Sequence, residues 1–94
     1  MNTLIFSQTA IFRMQQLASC IYHKTGIRHR MAKQEGMLAL LREAGESADK
    51  DVRQHYDSFV LELNDRQLQL LEARDVKMRK PFLASTLTSI RKAG

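Results

Sequence analysis

The chain has 94 residues, one domain's length, and 44% hydrophobic with 27% charged content excludes a chain that is disordered throughout. No uninterrupted apolar run approaches the roughly 20 residues a membrane-spanning helix needs, and a single cysteine excludes an internal disulfide, so the expected setting is the cytoplasm. The net charge of +5 has an internal order: residues 1–34 carry five cations and no acid, residues 35–75 carry all ten acids beside five cations, and residues 76–94 carry five more cations and no acid. That order has two explanations. Either the basic ends fold against the acidic middle, or both ends face a polyanion.

In chain order, Ala10, Ile11, Met14, Leu17, Ala18, Ile21 and Tyr22 recur on one side of a 3.6-residue wheel, which predicts a helix over about 7–25. Ser7 is its expected N-cap, and Gly26 its expected left-handed terminator. Leu4, Ile5 and Phe6 precede the helix and are expected to fold back on it as an apolar staple. Upstream of the stripe no charged head precedes an apolar run, so the start of the chain does not read as a secretory signal.

A second stripe of Ile27, Met31, Gln34, Leu38 and Leu41, spaced four and three in alternation, predicts a helix over about 27–44, stopped by Gly45. Ser47 is then the expected cap of the third helix, and the short loop favours an antiparallel neighbour. The third stripe, Val52, Tyr56, Phe59, Leu63, Gln67 and Leu70, keeps one face through Asn64 and Asp65. It predicts one long helix over about 48–76, roughly 40 Å at 1.5 Å per residue. Asn64 with Gln67 is also a capping-box-like pair that would start a separate helix there. Pro81 suits the first turn of a last short helix over about 82–92. With no period-two alternation, the expected fold class is all-α: one domain, a small antiparallel bundle of three to four helices with a long third helix.

The chemistry-bearing residues are sparse. Cys20, His23 and His29 stand at C-x2-H-x5-H spacing, with His55 the only other histidine, whereas structural zinc wants four ligands from two close pairs. No nucleophile elbow, phosphate-cradling glycine loop or H-E-x-x-H motif is present. The expectation is a non-catalytic protein with no cofactor, no resident metal and no small-molecule substrate.

Two binding modes remain. The overhang of a long third helix suggests a protein–protein interaction module or regulator that self-associates, as a homodimer or with another protein, through Tyr56, Phe59, Leu63, Gln67 and Leu70, with Leu71 at the edge. The alternative is a sequence-tolerant DNA- or RNA-binding protein that uses Lys24, Arg28, Arg30, Lys33, Lys77, Arg79 and Lys80. A helix-turn-helix reading of the second and third helices fails on charge: residues 47–65 hold five acids against Lys50 and Arg53, and a recognition helix of that sign repels phosphate.

Overall fold

The computed structural model describes residues 4–76 and residue 78. They form four helices: α1 (Gln8–Thr25), α2 (Gln34–Glu46), α3 (Lys50–Val60) and α4 (Asp65–Ala73), and the described residues contain no strand. The all-α bundle expected from the periodicities is what the chain folds into. The expected helix over 82–92 lies outside the described residues.

α1 starts and stops where its capping residues dictate. The Ser7 hydroxyl accepts from the Ala10 N–H at 3.1 Å, and Gly26, at φ 77°, donates its N–H to the Tyr22 carbonyl at 2.8 Å. Ala10, Met14, Leu17 and Ile21 are buried along one face. Ahead of the helix, Leu4 and Phe6 turn inward while Ile5 points out, and the Phe6 ring meets Phe59 edge-on at 5.6 Å between centroids.

α1 and α3 make the main pairing, and they run antiparallel. Lys24 at the end of α1 bridges Asp49 and Asp51 at the start of α3, while Arg13 near the start of α1 lies 3.9 Å from Glu62 just past the end of α3. α2 packs against both helices through Leu38, Leu40, Leu41 and Ala44.

Three expected boundaries are corrected. The second helix begins at Gln34, not Ile27, because residues 27–33 are held out of helix by contacts of His29 with Glu43 and of Arg30 with Gly36. Gly45 does not stop it. The helix runs on to Glu46 with Gly45 against the Tyr56 ring, and α3 is capped by Asp49, whose carboxylate accepts from the Val52 N–H at 3.0 Å. Ser47 instead accepts the Asp49 N–H, shaping the connection.

The long third helix is two helices. Asn64 accepts from the Gln67 N–H at 2.8 Å and Gln67 returns a side-chain oxygen to the Asn64 N–H at 3.0 Å, a complete capping box. The Gln67 amide also donates to the Ile5 carbonyl at 2.8 Å, tying α4 to the N-terminal segment. At its other end α4 turns through Asp75 at φ 64°, and Arg42 of α2 donates to the Arg74 carbonyl at 2.8 Å. Leu71 and Val76 close the core there.

Candidate nucleic-acid interface

The basic corner of the sequence becomes an extended loop, residues 27–33, laid between the end of α1 and the start of α2. Its path is set residue by residue. The Thr25 hydroxyl donates back to the Ile21 carbonyl at 2.8 Å and accepts the Ile27 N–H at 3.1 Å, so the chain leaves α1 sharply. Arg28 then lays its guanidinium over the Tyr22 ring, 4.7 Å from the centroid. His29 folds inward, its side chain only 9% exposed, with Nε2 at 3.0 Å from a carboxylate oxygen of Glu43 on α2.

The loop closes on α2 at Gly36. A Cβ there would land on the carbonyl oxygen of Arg30, with the carbonyl carbon 2.7 Å away, so only glycine permits this approach. Lys33 is the N-cap of α2 in extended geometry, and it offers no side-chain hydrogen bond to the first turn.

Arg28, Arg30 and Lys33 are exposed and share this one loop, and none forms an ion pair with an acid among the described residues. Lys24 is separated from them in role. It contacts Asp51 at 2.8 Å and Asp49 at 3.2 Å, and those two hydrogen bonds, Asp51 the larger, raise its pKa. Asp49 is held below its ordinary value of 3.8, first by the Val52 N–H and then by Lys24 against some desolvation. Lys77, Arg79 and Lys80 lie outside the described residues.

The expected self-association surface fares differently. Tyr56, Phe59 and Leu71 are wholly buried within the chain, so they form its interior and offer no docking surface. Leu63, Gln67 and Leu70 are half-buried, and Gln67 is occupied by the capping box and the Ile5 carbonyl.

Cys20, His23 and His55 line an open groove between α1 and α3 together with Lys24 and Asp51. No three metal-ligating side chains among the described residues are placed to hold an ion, and the Cys20 thiol is raised in pKa by burial, which disfavours the thiolate. His29 does not line that groove and is engaged by Glu43.

Sequence reading missed two contributors to the corner. Tyr22 was assigned to the α1 core stripe, yet it is 40% exposed under Arg28. Its position four residues before Gly26, at the edge of the stripe, was the available signal. Gly36, an isolated glycine in the first turn of a helix, marks a close backbone approach in the way such glycines do. No described helix is long and apolar enough to cross a membrane. No family model matches the chain, and no curated protein sequence or solved structure resembles it significantly.

Proposed function

We propose that this chain is a non-catalytic binding protein whose loop 27–33 holds the phosphates of a nucleic acid. The observation that carries this reading is the clustering of cations. Lys24, Arg13 and Arg53 face acids and Arg42 bonds carbonyls; of the described cations without an ion pair, Lys50 and Arg66 lie on separate helices, whereas Arg28, Arg30 and Lys33 stand together on one exposed loop. The first turn of α2, uncapped by any side chain, adds backbone N–H groups beside them, offset in part by the Glu35 carboxylate in the same turn. A reducing compartment such as the cytoplasm suits a chain with one cysteine.

Three neutralised phosphates imply a slope of about −2.7 for log K against log salt on duplex DNA, or roughly a 40-fold loss of affinity between ~50 and ~200 mM salt. Fluorescence anisotropy with labelled DNA and RNA at both salt concentrations measures it. Steep salt dependence that collapses when Arg28, Arg30 and Lys33 are all changed to alanine supports the reading. An unchanged slope in that variant, or no binding at the lower salt, overturns it.

A second reading, a protein interaction module, is favoured by one observation: Ile5, Phe12 and Leu61 are large apolar side chains left more than half exposed. Contacts of that kind hold or strengthen with salt, so the same titration separates the two.

A further inference from the structure

We propose that the cavity between α1 and loop 27–33 seats one unpaired nucleobase against the Tyr22–Arg28 pair, which makes the partner single-stranded nucleic acid. This rests on the nucleic-acid reading above and deepens it.

The cavity is about 180 Å³ and is lined by Ala18, Ser19, Tyr22, Arg28 and His29. Pockets for drug-sized ligands run to roughly 300–1,000 Å³, so this one suits a single small ring system and not a larger molecule. Its lining has the chemistry such a ring wants. Tyr22 supplies an aromatic face, and Arg28, stacked 4.7 Å from the Tyr22 centroid, supplies a planar cation able to stack in turn.

His29 supplies the inner wall of the cavity. Its side chain is more than nine-tenths buried, and the Glu43 carboxylate at 3.0 Å can only accept, so Nε2 carries the proton. Nδ1 has no partner among the described residues. That atom is closed off from solvent, so His29 serves as the fixed inner wall of the cavity. Arg30 and Lys33 continue along the same loop, where the phosphates of the same strand would follow. A duplex keeps its bases stacked and presents only phosphates to this corner.

The test is anisotropy at about 50 mM salt with labelled oligo-dC and oligo-dT of ~15 nucleotides and a duplex of equal phosphate count. Both single strands are expected to bind more tightly than the duplex, because each offers unstacked bases to the Tyr22–Arg28 pair. Tyr22→Ala should weaken single-strand binding about fivefold or more, the lower end of base–aromatic stacking, and leave duplex binding nearly unchanged. Arg28→Lys keeps the charge but not the planar stack, so it should lower single-strand affinity with the salt slope intact. Tyr22 is exposed enough for its alanine variant to fold, and circular dichroism verifies that. Equal effects on both ligands, or a silent Arg28→Lys, overturn the base pocket; if the triple-alanine variant still abolishes salt-dependent binding, the broader function stands. Absence of any binding at low salt overturns both.

Discussion

Gly36 and Gly45 both lie in α2, and neither has a positive φ, so replacement by alanine brings the same backbone and propensity gain at each. That gain is up to about 1 kcal/mol in a helix interior. What differs is the space. At Gly45 the new methyl would sit 3.4 Å from the Tyr56 hydroxyl and 3.7 Å from its ring carbons, near ordinary contact, and Gly45→Ala should be neutral or stabilising by up to ~1 kcal/mol. At Gly36 the methyl would occupy the position of the Arg30 carbonyl oxygen, a rigid backbone group. Overpacking of this sort costs typically ~1–3 kcal/mol.

To first order the propensity term is common to both variants, so the gap between them isolates the close approach: about 1–3 kcal/mol, or roughly 4–8 °C of Tm per kcal/mol for a domain of this size. The strain has one way out, which is for loop 27–33 to lift off α2 and release His29 from Glu43. Urea melts followed by circular dichroism give the gap, and amide exchange over residues 27–37 locates it. Gly36→Ala as stable as Gly45→Ala, with unchanged exchange in the loop, would refute the packing of the loop on α2.

Other substitutions examine the remaining parts of the fold. Phe59→Ala should destabilise by ~3–5 kcal/mol with the solution mass unchanged, since Phe59 is wholly buried within one chain; a mass change with little loss of stability would restore it to an interface. Asn64→Ala should cost about 1 kcal/mol and raise amide exchange across α4, with α1 unaffected. Asp75→Gly should stabilise by about 0.5–1 kcal/mol in a thermal melt, because Asp75 holds φ 64° where glycine carries no steric penalty. For pH, Asp49 has a lowered folded-state pKa, so its contribution is complete above its ordinary value of 3.8 and is lost as pH falls through the lower folded value. Asp49→Asn keeps a capping side chain without the charge, and acid melts should show a smaller loss of stability over that window.

Legibility followed the range of the interactions. α1 was readable to its last residue because everything that bounds it is local: a serine hydroxyl three residues from its donor, and a glycine whose freedom the turn needs. The 61–64 break was visible as the Asn64–Gln67 pair but competed with an apolar stripe that ran straight through it. The box prevailed since it meets two orphan backbone groups at once, and the stripe is still served because Leu71 reaches the core from the second helix. The start of α2 was not legible. Ile27, Met31 and Gln34 have perfect helical spacing, yet His29 is held by Glu43, fourteen positions away, and Arg30 by Gly36. The His29–Glu43 pairing overrides local periodicity and leaves no mark within a short window, and the nearer Arg30–Gly36 approach is signalled only by an isolated glycine. The cavity beside Tyr22 was hidden for the same reason, since its walls come from α1 and from a loop expected to be helix.

The alternation of charge along the chain permitted two explanations; the fold shows the first at Lys24, and the second is the proposal for the loop. Lys24 belongs to the first: two carboxylates of the acidic middle engage it, at the seam where α1 meets α3. Arg30 is where we propose the second: it is exposed on the loop, with no acid paired to it among the described residues. A single charge removed at each position should therefore separate folding from binding. Lys24→Ala leaves Asp49 and Asp51 facing one another without the bridging ammonium, so it should lower the urea midpoint and leave the salt slope for nucleic acid unchanged. Arg30→Ala removes no ion pair among the described residues, so stability should stay within about 0.5 kcal/mol of the parent. Its duplex salt slope should become shallower by about 0.9, the share of one phosphate. The two variants carry the same net charge, and a mechanism driven only by net charge would make them equivalent in binding. Equal slopes in Lys24→Ala and Arg30→Ala would show that the acids do not silence Lys24, and the sorting of cations on which the proposed interface rests would fail.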